Sequence, residues 1–435
     1  MTDRKRAWRV ISGKATVVAA LSVAMELLPS SHCFAQDGSD AVLRSRLTDM
    51  GVQFSDDNSV ELLMSGKKKF ERMFSDIREA RQSIHLEYFN FRNYSIASLL
   101  FDLLREKRRE GVEVRALFDG FGNDSNNQPL LKHHLRSLRA DSINIYEYDP
   151  IRFPWVNHIW PRDHRKIVVI DGRIAYTGGM NVADYYITGT EQVGEWRDMH
   201  CRIEGSAVNQ LQHIFLRMWN KVTGEDIIQQ PRYYRGGTTG SGRSVIGIVN
   251  REPGAVYDSK GHLLGSSDAM RRFYVAAIDA ARDSLKIVNP YFTLTSSINH
   301  ALERALGRGV QVDIMVSAKS DVPLTPDCVY YNAHRLMKRG ARVWVYEPGF
   351  HHSKIMMVDG SYCTVGSANL DARGMRFDYE ENAVIIDAAT TATLDSMFYA
   401  DIRKSFLLTP QTWNKMRTPW QKSRGWLAHL LRPLL

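Results

Sequence analysis

The sequence predicts an α/β protein made of two similar α/β sandwich halves that share one active site at their interface. Three observations carry this. Helical and strand-like segments alternate along the chain. The order of those segments occurs twice. Each occurrence ends in the same short pattern, His-x-Lys-x4-Asp. Alternating helices and short strands pack as a sheet between helical layers, and an internal repeat of this length governs the reading of everything inside it.

The segments are taken in chain order. Arg4, Lys5, Arg6, Arg9 and Lys14 precede an apolar run from Ala15 to Met25, and Cys33-Phe34-Ala35 offers small residues for cleavage. Residues 1–35 therefore read as a signal peptide or a short membrane anchor. The run is shorter than the roughly 20 residues needed to span a bilayer, and His32 before Cys33 fits a lipidation site poorly. The first half covers residues 57–230. Within it, Ile77 to Ile84 leads into the strand-like His85-Leu86-Glu87-Tyr88-Phe89. Gly111 then ends a helix before Val112 to Asp119, and Ile143 to Tyr148 is a third strand. The second half, residues 243–410, repeats the order: Ile278 to Leu285 into Lys286 to Phe292, Gly309 before Val310 to Val316, and Ala341 to Tyr346. The spacing between matched positions shrinks along the chain. The first half thus carries extra loops, placed at Asn123–Asn127 and Pro150–Pro161. Pro231–Gly242, rich in Gly, Ser and Arg, reads as the linker. Residues 411–435 read as a C-terminal amphipathic tail.

Composition sets bounds. The chain has 435 residues, 44% hydrophobic and 24% charged, an ordinary mixture for a folded protein with a core, so disorder is not the default. Its formal charge of +9 suits anionic partners, whether phospholipid headgroups or nucleic acid. Cys33, Cys201, Cys328 and Cys363 form no CxxC pair, so their spacing offers no zinc cluster; the last three read as buried or free thiols rather than a disulfide framework, and export would leave a single bridge among them open.

The repeated pattern is His164-x-Lys166-x4-Asp171 and His352-x-Lys354-x4-Asp359. Each copy runs through a β-branched or apolar stretch into Asp-Gly and a second strand-like stretch, a hairpin signal. Period-2 geometry places His164 with Lys166, and His352 with Lys354, on one face. Past each hairpin come Gly178-Gly179-Met180-Asn181 and Gly366-Ser367-Ala368-Asn369. Small residues at Gly179 and Ser367 let the backbone approach, and the amides of Asn181 and Asn369 suit an anion. The set fits phosphodiester chemistry. Lysines and amides hold non-bridging oxygens. One histidine attacks phosphorus, and the other protonates the departing alcohol and deprotonates the incoming one. The scheme calls for no metal and no other cofactor. The near symmetry of the two copies does not choose between the histidines; His164 is taken as nucleophile.

These residues resemble the phospholipase D superfamily, and the flanking stretches resemble bacterial cardiolipin synthases. The likeness is carried by His85 to Phe89, Arg162 to Lys166, Tyr176 to Asn181, Trp196-Arg197-Asp198, Asn289 to Phe292, Lys319 to Pro323, Tyr346 to His352 and Gly366 to Arg373. It runs from about Val60 to the C-terminus. It implies the phospholipase D fold with one active site between the halves. It also implies transfer of a phosphatidyl group between two phosphatidylglycerol molecules, giving cardiolipin and glycerol. By the same likeness, Glu381 and Glu87 are acids that orient the histidines. The partner implied is anionic phospholipid at a membrane surface, and the location is the bacterial cell envelope, by export or anchoring. One departure stands out: typical bacterial cardiolipin synthases begin with two transmembrane helices, whereas this chain begins with the signal-like segment. The tail from Trp420 to Leu435, with its tryptophans, leucines and basic residues, suits either an interfacial segment or a helix packed on the core. Hydrolysis of phospholipid headgroups and metal-independent nuclease activity are the alternatives within the same chemistry.

Overall fold

The computed structural model describes residues 38–151, 160–237, 242–254, 256–257, 263–323 and 325–431. The signal-like segment, most of the Pro150–Pro161 loop and residues 238–241 of the linker lie outside the described residues. The first half contributes β1 (Phe54–Leu63), β2 (Ser83–Tyr88), β3 (Glu113–Asp119), β4 (Asn144–Tyr148), β5 (Ile167–Ile170), β6 (Ile174–Gly178), β7 (Glu195–Arg197) and β8 (His200–Glu204). The second contributes β9 (Ser244–Arg251), β10 (Val256–Tyr257), β11 (Leu263–Gly265), β12 (Ser284–Val288), β13 (Gln311–Ser317), β14 (Arg342–Tyr346), β15 (Gly349–His351), β16 (Ile355–Val358), β17 (Tyr362–Gly366), β18 (Glu380–Ile386) and β19 (Ser405–Leu407).

Fifteen of these strands form one sheet, ordered β19-β14-β13-β12-β16-β17-β18-β9-β1-β8-β6-β5-β2-β3-β4. Outward from the β1–β9 seam the order is β8, β6, β5, β2, β3, β4 on one side. On the other it is β18, β17, β16, β12, β13, β14, with β19 added at the edge. The sequence repeat is thus a repeat of sheet order around an antiparallel seam. Strands β2–β3–β4 and β12–β13–β14 pair in parallel through helical crossovers, as parallel neighbours require.

Both faces of the sheet are covered, which explains the unbroken apolar runs at its centre. In β5, Val168 and Ile170 pack with helices Gly66–Glu79 and Ser95–Arg109, while Ile167 and Val169 face the other way. That opposite face is shared by helix Val208–Thr223 of the first half and helix Ala388–Ile402 of the second, through Leu211, Ile214, Leu394 and Phe398 in one core. The Asp-Gly hairpins form as the sequence predicts. Asp171 and Gly172 have φ of 53° and 63°, and Asp359 and Gly360 have 51° and 64°, the two positive angles a type I′ turn demands.

Two backbone straps cross between the halves. β7 of the first half pairs in parallel with β15 of the second. Asp163 of the first half bridges Tyr379 of the second, with Tyr379 N donating to Arg162 O at 2.8 Å and His164 N to Tyr379 O at 3.1 Å. Among the described residues no helix is long and apolar enough to cross a membrane, and Cys201, Cys328 and Cys363 are buried free thiols.

Candidate active site

The straps deliver the histidines. His164 and Lys166 lead into β5, and His352 and Lys354 into β16. His352 N donates to Arg197 O across the halves at 2.6 Å, so each histidine backbone is fixed by the half that does not contain it. The side chains are exchanged in the same way. His164 Nδ1 lies 3.0 Å from Glu380 Oε1 of the second half. His352 Nδ1 lies 2.8 Å from Asp198 Oδ2 of the first. Asp198 and Glu380 are matched residues: each stands two positions before the residue that pairs with the last glycine of the hairpin, His200 with Gly178 and Asn382 with Gly366. With a carboxylate at Nδ1, Nε2 is the ring nitrogen of each histidine left to meet a reacting group. The imidazoles are only 15% and 8% exposed, so both lie largely out of solvent.

The lysines bind back onto their own motifs. Lys166 Nζ donates to His164 O. Lys354 Nζ lies 2.6 Å from His352 O, 2.7 Å from His352 Nδ1 and 3.0 Å from His352 Nε2. Burial, opposed by Glu380, lowers the Lys166 ammonium, and burial against the pull of Asp198 lowers Lys354 to about 8. Burial first, then Lys166 and Lys354, hold His164 well below the ordinary imidazole range. Burial and Lys354 also lower His352, against the pull of Asp198. The two orienting acids differ. Burial pushes Glu380 up to about 7, with Lys166 opposing. Burial also pushes Asp198 up, but Lys354 and His352 more than reverse it and leave it below the usual carboxylate range.

The structure redistributes several roles expected from sequence. The acid that touches His164 is Glu380, not its neighbour Glu381. The Glu381 carboxylate instead accepts from Thr177 and lies 3.2 Å from Ser367 Oγ. Glu87 does not orient a histidine either: it pairs with Arg165 at 2.8 Å. Arg165, fully buried, also reaches Asp163 at 3.1 Å and the second half's Asn250 and Glu252 at 3.3 and 3.6 Å. Asp171 and Asp359 stay at the hairpin turns, away from the histidines. Asp171 accepts from the backbone N–H groups of Arg81, Gln82 and Ser83 at 2.7–2.9 Å. Asp359 accepts from those of Arg282, Asp283 and Ser284 over the same range.

Gly179 serves Asp198: a Cβ there would overlap the Asp198 carboxylate. Its counterpart Ser367 donates to Glu380. Asn181 and Asn369 are buried, with Oδ1 atoms that lack a hydrogen-bond partner. Lys69, buried in the first half, holds the Asn181 loop by donating to Met180 O and Asn181 O at 3.2 Å. Aromatic rings pack around the histidines: Phe89 stands edge-on to His164, and Trp196, Tyr291 and Phe350 surround His352. Among the described residues no three His, Cys, Asp or Glu side chains form a group that could hold a metal ion. Sequence reasoning missed Glu380, and it quoted Asp198 without giving it a role. The signal that finds them is their matched place after the two hairpins.

Two His-Lys half-sites on duplicated α/β halves define the phospholipase D class of protein. The profile of the family described as "Cardiolipin synthase, PLD-like domain" matches residues 73–219 and 274–402. The cardiolipin synthase of Listeria welshimeri is 32% identical over 391 residues, 89% of this chain and 78% of that protein. That of Oceanobacillus iheyensis is 32% identical over 382 residues, 88% of this chain and 76% of that protein. The solved phosphatidylserine synthase of Haemophilus influenzae shares the fold, with a TM-score of 0.64 at 15% identity over 90% of this chain and all of that one. The chain belongs to the cardiolipin synthase family of phospholipase D-like proteins.

Proposed function

We propose that this protein makes cardiolipin, moving a phosphatidyl group from one phosphatidylglycerol to a hydroxyl of a second and releasing glycerol. The observation that carries the reading is the exchange of carboxylates across the halves, His164 with Glu380 and His352 with Asp198, which joins the two half-sites into one and leaves Nε2 of each histidine for the chemistry. His164, kept neutral by burial and two ammonium groups, attacks phosphorus through Nε2. The bond from phosphorus to the glycerol oxygen breaks, and His352 gives that oxygen its proton. The ionised Asp198 stabilises the His352 imidazolium before transfer. Glu380, with its raised pKa, is the weaker anion and favours a neutral His164. The phosphatidyl group now rests on His164. His352 takes the proton from a headgroup hydroxyl of the second phosphatidylglycerol, that oxygen attacks phosphorus, and the bond to His164 breaks. Lys166, Lys354 and the amides of Asn181 and Asn369 hold the non-bridging oxygens. Asp171 and Asp359 support the hairpins and take no part in proton transfer. The substrates place the protein at a bilayer surface of the bacterial cell envelope.

The test is incubation of the purified protein with phosphatidylglycerol liposomes, following cardiolipin, phosphatidic acid and glycerol. Cardiolipin with equimolar glycerol supports the reading. Phosphatidic acid alone shows that water is the acceptor, and DNA cleavage without lipid turnover overturns it. His164→Ala and His352→Ala should each lower turnover by about 10⁴-fold or more. Acid-labile label trapped on His164 identifies the nucleophile; label on His352 reverses the assignment.

A further inference from the structure

A surface helix of a soluble domain turns its apolar side chains to the protein and its charges to water. Helix Pro419–Leu430 does the reverse. It lies on helix Thr325–Met337 through Gly425 and His429, and His429 Nδ1 is 2.7 Å from Asn332 Oδ1. Arg424, with Arg417 from just before the helix, pairs with the Asp327 carboxylate. Outward stand Trp420, Trp426, Leu427 and Leu430, each more than half exposed, and Leu431 follows at 47%. Single exposed apolar residues are ordinary on a protein surface; five within one short helix and its end are not.

Charge selects what covers this face. From Ile402 to the C-terminus the chain has seven Lys or Arg and no Asp or Glu. Asp327, one carboxylate, pairs with both Arg417 and Arg424, and Lys422, on the same helix as Arg424, bonds the neutral Asn414, so the helix carries a net positive charge. A second copy of the chain would meet this face with the same face, cation against cation. An anionic bilayer accepts both features: indoles and leucines enter the interface, and lysine and arginine meet the headgroups. The helix is also fastened to the catalytic wall. Asn332, which binds His429, donates to Phe292 O at 3.1 Å. The adjacent Tyr291 packs edge-on against His352 and donates to Asp321.

We propose that the outward face of helix Pro419–Leu430 is a docking surface for an anionic phospholipid bilayer. This deepens the proposed function by naming the surface that meets the substrate-bearing membrane, and it is measured without turnover. The full-length protein is mixed with phosphatidylcholine vesicles, with and without about one third phosphatidylglycerol, and bound protein is separated by flotation. The triple variant Trp420→Ser/Trp426→Ser/Leu427→Ser should bind the anionic vesicles at least about tenfold more weakly, with an unchanged circular dichroism spectrum. Independently, Leu430→Cys carrying a polarity-sensitive dye should shift to the blue on anionic vesicles, and a dye on exposed Glu106→Cys should not. The Leu430 label decides if the triple variant fails to fold. Equal binding by a folded triple variant, or no shift at Leu430, overturns the proposal. So does a concentration-dependent dimer that the triple variant loses, which would make a second copy the occupant. Binding at this face without phosphatidylglycerol turnover would leave the surface standing and remove the proposed reaction.

Discussion

Asp171 lies seven residues beyond His164 at the far end of β5, on the order of 20 Å away along an extended chain. Its carboxylate takes three backbone N–H groups at the entry to β2, and Asp359 does the same at the entry to β12. Each ties the hairpin of its signature to the strand beside it, since Asp171 N also donates to Ser83 O and Asp359 N to Ser284 O. Asp171→Ala leaves those amides without their charged acceptor. It should lower stability by about 2–3 kcal/mol while the folded fraction keeps turnover within a few-fold of the parent. Thermal melts paired with turnover normalised to folded protein measure this, and a loss of turnover matching that of His164→Ala would return the aspartate to the chemistry. The histidines and lysines are legible in the sequence because their spacing is local and duplicated. Glu380 and the role of Asp198 are not, because each acts on a histidine of the other half and no period links them. Glu381 drew the role of Glu380 because adjacent glutamates in a strand differ only in which way they point.

At the scale of elements, the strap between β7 and β15 places His352. Gly349 pairs with Glu195, and a Cβ on Gly349 would overlap the Glu195 backbone. Gly349→Ala therefore pushes β15 off β7 just before His352, whose N–H is bonded to Arg197 O. A displacement of about 1 Å at a reacting group costs on the order of a hundredfold in rate. The variant should lose about that much kcat with its far-ultraviolet dichroism intact; near-parental kcat would show that the strap does not set the histidine. The alternation of helices and strands is readable in the chain because each element carries its own period. The three-residue strands β7 and β15 are too short to carry one. The joining of both halves into one sheet through β1 and β9 is equally hidden, since its register depends on partners far apart in sequence.

Over the whole molecule, the seam is held by buried polar groups, and this couples stability to pH. Glu381 of the second half accepts a hydrogen bond from Thr177 of the first. Burial pushes its carboxyl up from 4.5 to about 8, with the adjacent Glu380 adding to the rise and Lys166 and Arg165 opposing it. A folded-state value above the unfolded one favours the protonated form in the native protein. The associated stability is fully present below about pH 4.5 and is lost as pH rises through about 8. Glu381→Gln keeps the shape and the acceptor for Thr177 but cannot ionise. At pH 5 the variant and parent should melt close together. By pH 9 the variant should be the more stable, by on the order of 5 kcal/mol. Because one sheet runs through both halves, the difference should appear as a shift of a single cooperative transition rather than of one of two. Calorimetry from pH 5 to pH 9 measures it. A gap that stays constant across that range would mean that Glu381 titrates alike in the folded and unfolded chains, and that ionisation at the seam does not set the alkaline limit of the fold.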